Sequence, residues 1–184
     1  MLNRNVRRVS VDGLVSASEA RLLIAVPLLI VVVMLASTQI HAPPWLRSIA
    51  LFGHLVALVV GLGSVLAVDY FGMLWMLRQI RLHAMLMQAH RMGPMIWCGL
   101  LGLVATGALL HPHLTTPLII VKMVSVIGVS VVGILALATK RAMMRSAPRV
   151  PQLLLVRGLV LTAASQAFWW TAVLVGFLTA NLDV

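Results

Sequence analysis

Ser48 to Leu77 reads SIALFGHLVALVVGLGSVLAVDYFGMLWML, thirty residues of almost unbroken apolar sequence. A helix needs about 20 such residues to cross the hydrocarbon core of a bilayer, so this stretch is long enough to span a membrane. Two ionisable side chains interrupt it, His54 near one end and Asp69 near the other. Ionisable groups are costly in hydrocarbon, and they normally face a protein interior and carry a task.

Composition agrees with that reading. Of 184 residues, 61% are hydrophobic and 10% charged, with a mean hydropathy of +1.06. A soluble domain would carry about 25% charged residues, so the chain has too little polar surface to cover a soluble globule. It reads as an all-α integral membrane protein. Fourteen Lys and Arg stand against four acids, Asp12, Glu19, Asp69 and Asp183, for a net charge of +10. In a soluble protein that excess would suggest nucleic acid. Here the cations gather at the ends of apolar runs, where they set topology and meet anionic headgroups; no nucleic-acid partner is expected. The single cysteine, Cys98, lies in an apolar run and has no partner for an intrachain disulfide.

Working outward from residues 48–77, the chain divides into five spans in a single transmembrane domain covering 1–184. Residues 1–21 form a basic amino-terminal segment (Arg4, Arg7, Arg8) that closes with Ser16-Ala-Ser-Glu19, the pattern of a capping box. Span one covers 22–40; its apolar run is longer than that of a cleaved secretory signal. Pro27 within it is tolerable because neighbouring helices can satisfy the freed backbone. HAPPWLR is a turn with Trp45 suited to an interface, and span two is 48–77. The basic connection LRQIRLHAMLMQAHRM has helical periodicity, and Gly93-Pro94 is expected to end it before span three at 94–110. HPHLTTP turns into span four at 117–139; KRAMMRSAPRVP is a second basic connection, followed by span five at 152–180. The basic residues fall at the amino terminus and in the second and fourth connections, so the positive-inside rule predicts a cytoplasmic N-terminus and a periplasmic C-terminus.

Helical rise converts this topology into depth. His54 lies about 9 Å below the outer start of span two, and Lys122 at a similar depth in span four. His111 and His113 close the outer end of span three, so basic and ligand-capable groups from three spans share one layer. His54 reads as a ligand to haem iron or as an interhelical hydrogen-bonding residue. Gly61 lies two turns below on the same face, where a missing side chain would admit a flat macrocycle or another helix. His111 or His113 could supply a second axial ligand. Lys122 reads as the catalytic or anion-holding cation, or as a lysine snorkelling to the interface. Asp69 lies about 22 Å below His54, at the depth of Arg157; the two suit a structural ion pair, with Arg78 or Arg81 as alternative partners. His83, Met87 and His90 occupy i, i+4 and i+7 of one helix face, a donor set that suits copper as well as an amphipathic interfacial face.

GHLVALVVGLGSVLAVD, then a basic connection, a short span and a span opening IIVKMVSVIGV, resembles the small four-helix bacterial membrane families around the HemJ-type protoporphyrinogen oxidase and the CopD-type copper-resistance domain. The resemblance covers Ser48 to about Leu178 and leaves span one as an addition. In the oxidase family, a histidine early in one helix and a lysine early in the helix two later form the functional pair. The matching positions are His54 and Lys122. Val60-Gly61 stands where that family carries a tryptophan-glycine pair. The resemblance implies a haem- or tetrapyrrole-associated redox protein of the bacterial inner membrane, with haem b as the cofactor. Two other readings accompany it: a non-catalytic subunit of a larger respiratory or photosynthetic membrane complex, and a copper-handling protein. The expected partners are the lipid bilayer and either other membrane proteins or further copies of the chain.

Overall fold

The structure, a computed structural model, describes residues 15–40, 42–110, 117–147 and 149–181. They form five helices: α1 (Ala17–Ser37), α2 (Pro44–Met76), α3 (Leu82–Leu109), α4 (Pro117–Ser146) and α5 (Gln152–Asn181). Each is long and apolar enough to cross a membrane. The all-α, five-helix reading of the sequence is therefore correct, whereas several boundaries move. Helix α2 starts at Pro44, within the expected turn, because a proline in the first turn gives up only an N–H that has no intrahelical partner. Helix α3 does not stop at Gly93-Pro94: the basic connection and the third span are one helix of 28 residues with Pro94 inside it. Breaking a helix exposes backbone groups that hydrocarbon cannot solvate, and that cost exceeds the loss of one hydrogen bond at proline. Helix α4 likewise runs on through the basic segment to Ser146.

The connection between α2 and α3 shrinks to a tight turn. The Arg78 N–H donates to the Trp75 carbonyl (2.9 Å) and the Gln79 N–H to the Leu74 carbonyl (2.9 Å). That pair of bonds is a Schellman closure, which requires a left-handed residue after the cap. Arg78 fills the position at φ 59°, where glycine would be unstrained. Substituting Arg78→Gly is therefore expected to stabilise the fold by about 1 kcal/mol, the left-handed penalty of an L-residue; thermal unfolding in detergent reads it.

The bundle is built from two helical hairpins. Helix α2 packs most closely on α3 and α4 on α5, while α1 lies against α4 and α3. Small residues make the first of these close. Gly53, Ala57 and Gly61 recur every fourth residue on α2 and meet Thr106, Gly102 and Gly99 of α3, the small-residue seam by which membrane helices gain backbone contact. A Cβ on Gly61 would lie 3.3 Å from the Gly99 Cα and 2.9 Å from the Trp169 ring. Val65, Leu100, Val129 and Trp169, one from each of α2 to α5, form the central core cluster. Leu86, Met143 and Leu154 form a second cluster toward the end rich in arginine. The buried hydroxyls of Ser64, Ser125, Ser130 and Thr139 each donate to a carbonyl three or four residues earlier, so no hydroxyl donor is stranded.

Helix α1 is fastened at one end. Its capping box forms as expected: Ser16 Oγ accepts from the Glu19 N–H (3.3 Å), and the Ser16 N–H donates to Glu19 Oε2 (2.9 Å). Arg141 of α4 then pairs with the Glu19 carboxylate and donates to Ser16 Oγ at 3.3 Å. Glu19 is buried and Arg141 about one-third exposed. Removing the cation leaves a buried carboxylate with its cap bonds alone. The Arg141→Ala variant should lose roughly 1 kcal/mol, the worth of a charged hydrogen bond discounted for exposure. Faster amide exchange confined to the first turns of α1 would register the loss.

Candidate functional site

His54 lies on α2, ten residues after the first of the helix, and faces α3. Its Nδ1 is 2.9 Å from Thr106 Oγ1. The Thr106 hydroxyl has one hydrogen, and it points to the Gly102 carbonyl at 2.6 Å. With its hydrogen on Gly102 the threonine accepts from the imidazole, an arrangement in which Nδ1 carries the proton and Nε2 keeps its lone pair. The Leu103 carbonyl is a second hydrogen-bond partner for the ring. A neutral imidazole with Nδ1–H committed to a neighbour is the form that binds metals. The ring is half-buried and lies against Gly107, where an added Cβ would be 3.4 Å from Cε1.

Lys122 comes from α4, and the structure brings it to the same end of the bundle. Its charge is near enough to act on the His54 ring. Its ammonium reaches toward α5, where a Cβ at Gly176 would lie 3.6 Å from Nζ. Lys122 is half-buried and makes no ion pair or hydrogen bond among the described residues. Helices α2, α3, α4 and α5 thus all contribute to this end of the bundle: imidazole and hydroxyl from α2 and α3, ammonium from α4 and, from α5, a glycine beside it. Thr106, which sets the tautomer, was not a candidate from sequence; a hydroxyl in an apolar span usually bonds its own helix, and spacing alone does not identify its cross-helix neighbour.

Other sequence candidates fare differently. Gly61 is not a cradle for a macrocycle, because its face is filled by Gly99 and Trp169; the missing side chain serves helix contact. His111 and His113 lie outside the described residues. Asp69 does not pair with Arg157, Arg78 or Arg81. Its carboxylate accepts a hydrogen bond from the Gln166 amide of α5, and the ion pair among the described residues is Arg141 with Glu19. A neutral amide already present on the facing helix satisfies the carboxylate without burying a second charge. His83, Met87 and His90 do share the opening turns of α3, but both histidines are exposed. No group of three or more His, Cys, Asp or Glu capable of holding a metal occurs among the described residues.

Comparison of the chain with protein-family models, curated proteins and solved structures returned no match.

Proposed function

We propose that the chain is a multi-pass protein of the bacterial inner membrane, with a cytoplasmic N-terminus and periplasmic C-terminus, that binds haem b through His54 near the periplasmic side. The observation supporting it is the Nδ1–H bond to Thr106, which leaves the Nε2 lone pair for iron. His54 would hold the iron through Nε2, with Thr106 orienting the ring. Gly61 takes no part, and His111 or His113, which lie outside the described residues, would be the candidates for a second ligand. A bound haem would supply one-electron transfer. Lys122 is the cation for an anionic group of the ligand, a propionate in the case of haem, in a layer where an unpaired ammonium has few other ways to be stabilised. Orientation rests on the basic residues collecting at one end of the bundle.

The absorption spectrum of the protein as purified tests this reading. A Soret band is expected, absent in His54→Ala and retained, with weaker haem retention, in Lys122→Gln. A protein that folds and purifies without a chromophore, even after growth with a haem precursor, would overturn it in favour of a chromophore-free subunit of a larger membrane complex.

A further inference from the structure

The two hairpins do not close on each other along their whole length. Between them, on the side away from His54, lies a cavity of about 310 Å³ lined by residues of α2, α3, α4 and α5. Its wall runs from Trp169 to Leu155 along α5, fourteen residues or about 21 Å of helix. Along α2 it runs from Val65 to Met76, about 16 Å. Half of a roughly 30 Å hydrocarbon core is about 15 Å, so the cavity is about as long as one lipid leaflet is deep.

Its lining is overwhelmingly apolar, and two ionisable groups stand on it, Asp69 and Lys140. Asp69 is engaged by Gln166. Lys140 is half-buried and makes no ion pair or hydrogen bond among the described residues. The Gln166 bond satisfies the Asp69 carboxylate without cancelling a charge, whereas the Lys140 ammonium has neither kind of partner, and it lies toward the arginine-rich end, near Arg141 and Arg145. The apolar stretches of this wall do not hold water, and leaving them uncovered forfeits contacts.

We infer that this cleft binds one anionic phospholipid, an acyl chain between the hairpins and the phosphate at Lys140. Apolar length selects a chain, and the unpaired ammonium selects an anionic head over a zwitterionic one. The site is separate from His54 and Lys122, which lie at the opposite end of the bundle.

Trp75, Trp97 and Trp169 line the cleft, whereas Trp45 and Trp170 are exposed and would respond to any lipid. In a Trp45→Phe/Trp170→Phe background, the protein is reconstituted in phosphatidylcholine vesicles, and brominated phosphatidylglycerol or brominated phosphatidylcholine is added in rising proportion. Tryptophan quenching by the anionic lipid should saturate at a low mole fraction, with about a 5-fold preference over the zwitterionic lipid, the worth of one lysine at an anionic surface. Lys140→Gln should reduce the preference to near 1, while Arg145→Gln, an exposed cation off the cleft, should retain it. Gly93 lines the cleft and has open space at its Cβ, so Gly93→Leu should weaken quenching by both lipids. Equal quenching by the two lipids in the parent, a preference that survives Lys140→Gln, or no quenching because another helix fills the cleft would each overturn the assignment.

Discussion

Gly99→Ala is expected to destabilise the bundle by about 3 kcal/mol or more, at the upper end of the range for overpacking. The added methyl would meet the Gly61 backbone, nitrogen and Cα together, and would lie 2.9 Å from the Ala57 carbonyl oxygen. Those atoms belong to the axis of α2, so no rotamer change relieves them; α2 must move, and the seam from Gly53 to Gly61 opens with it. Gly61→Ala should be milder, because its nearest contact is the edge of the Trp169 ring. Gly63, on the same helix but with nothing within 4 Å of its Cβ, supplies the control: Gly63→Ala should gain up to about 1 kcal/mol from helix propensity. Unfolding in mixed detergent micelles would rank the three. Equal stability of Gly99→Ala and Gly63→Ala would mean that α2 and α3 do not touch at this point.

Thr106→Val should lower the affinity of the His54 site for haem about 10- to 100-fold, the usual penalty for removing the partner of a ligating histidine. Valine keeps the shape and removes the acceptor. The Nδ1–H then has no partner at 2.9 Å, and the ring is free to place its proton on Nε2, the atom needed for iron. Nitrogen NMR of labelled histidine reads the tautomer whether or not haem is present. The parent should show protonated Nδ1 at His54, and the variant a mixture of tautomers. Haem titration measures the loss directly. A variant that keeps both the parent tautomer and the parent affinity would remove Thr106 from the site.

The helices were legible in the sequence because hydrophobic length is a bulk property: residues 48–77 have few folds available to them in lipid. Ends were harder. Pro44 and Pro94 look like punctuation in the sequence, yet in the bundle one begins a helix and the other lies inside one, since proline's effect depends on what would solvate a broken backbone. His54 and Lys122 could be placed in one layer from helical rise alone, and they do share an end of the bundle. Neighbours across helices could not be read in that way. Gln166 for Asp69, Arg141 for Glu19 and Thr106 for His54 each depend on which helix faces which, information that is absent from the period of a single span. Gly61 stands out in the sequence by its missing side chain. The four-residue spacing with Gly53 and Ala57 was the signal that it faces a helix.

The division into hairpins bears on which contacts depend on which parts of the chain. Helix α2 and helix α3 are consecutive in the chain and meet through Gly53, Ala57 and Gly61 on one side and Gly99 and Gly102 on the other. That half needs no residue of α4 or α5 for its seam. The α4–α5 half follows as a second unit, and α1, which precedes both in the sequence, has its counter-charge for Glu19 on Arg141 of α4. The order of contacts therefore departs from the order of the helices: α1 precedes both hairpins in the sequence, yet its buried carboxylate depends on one of them.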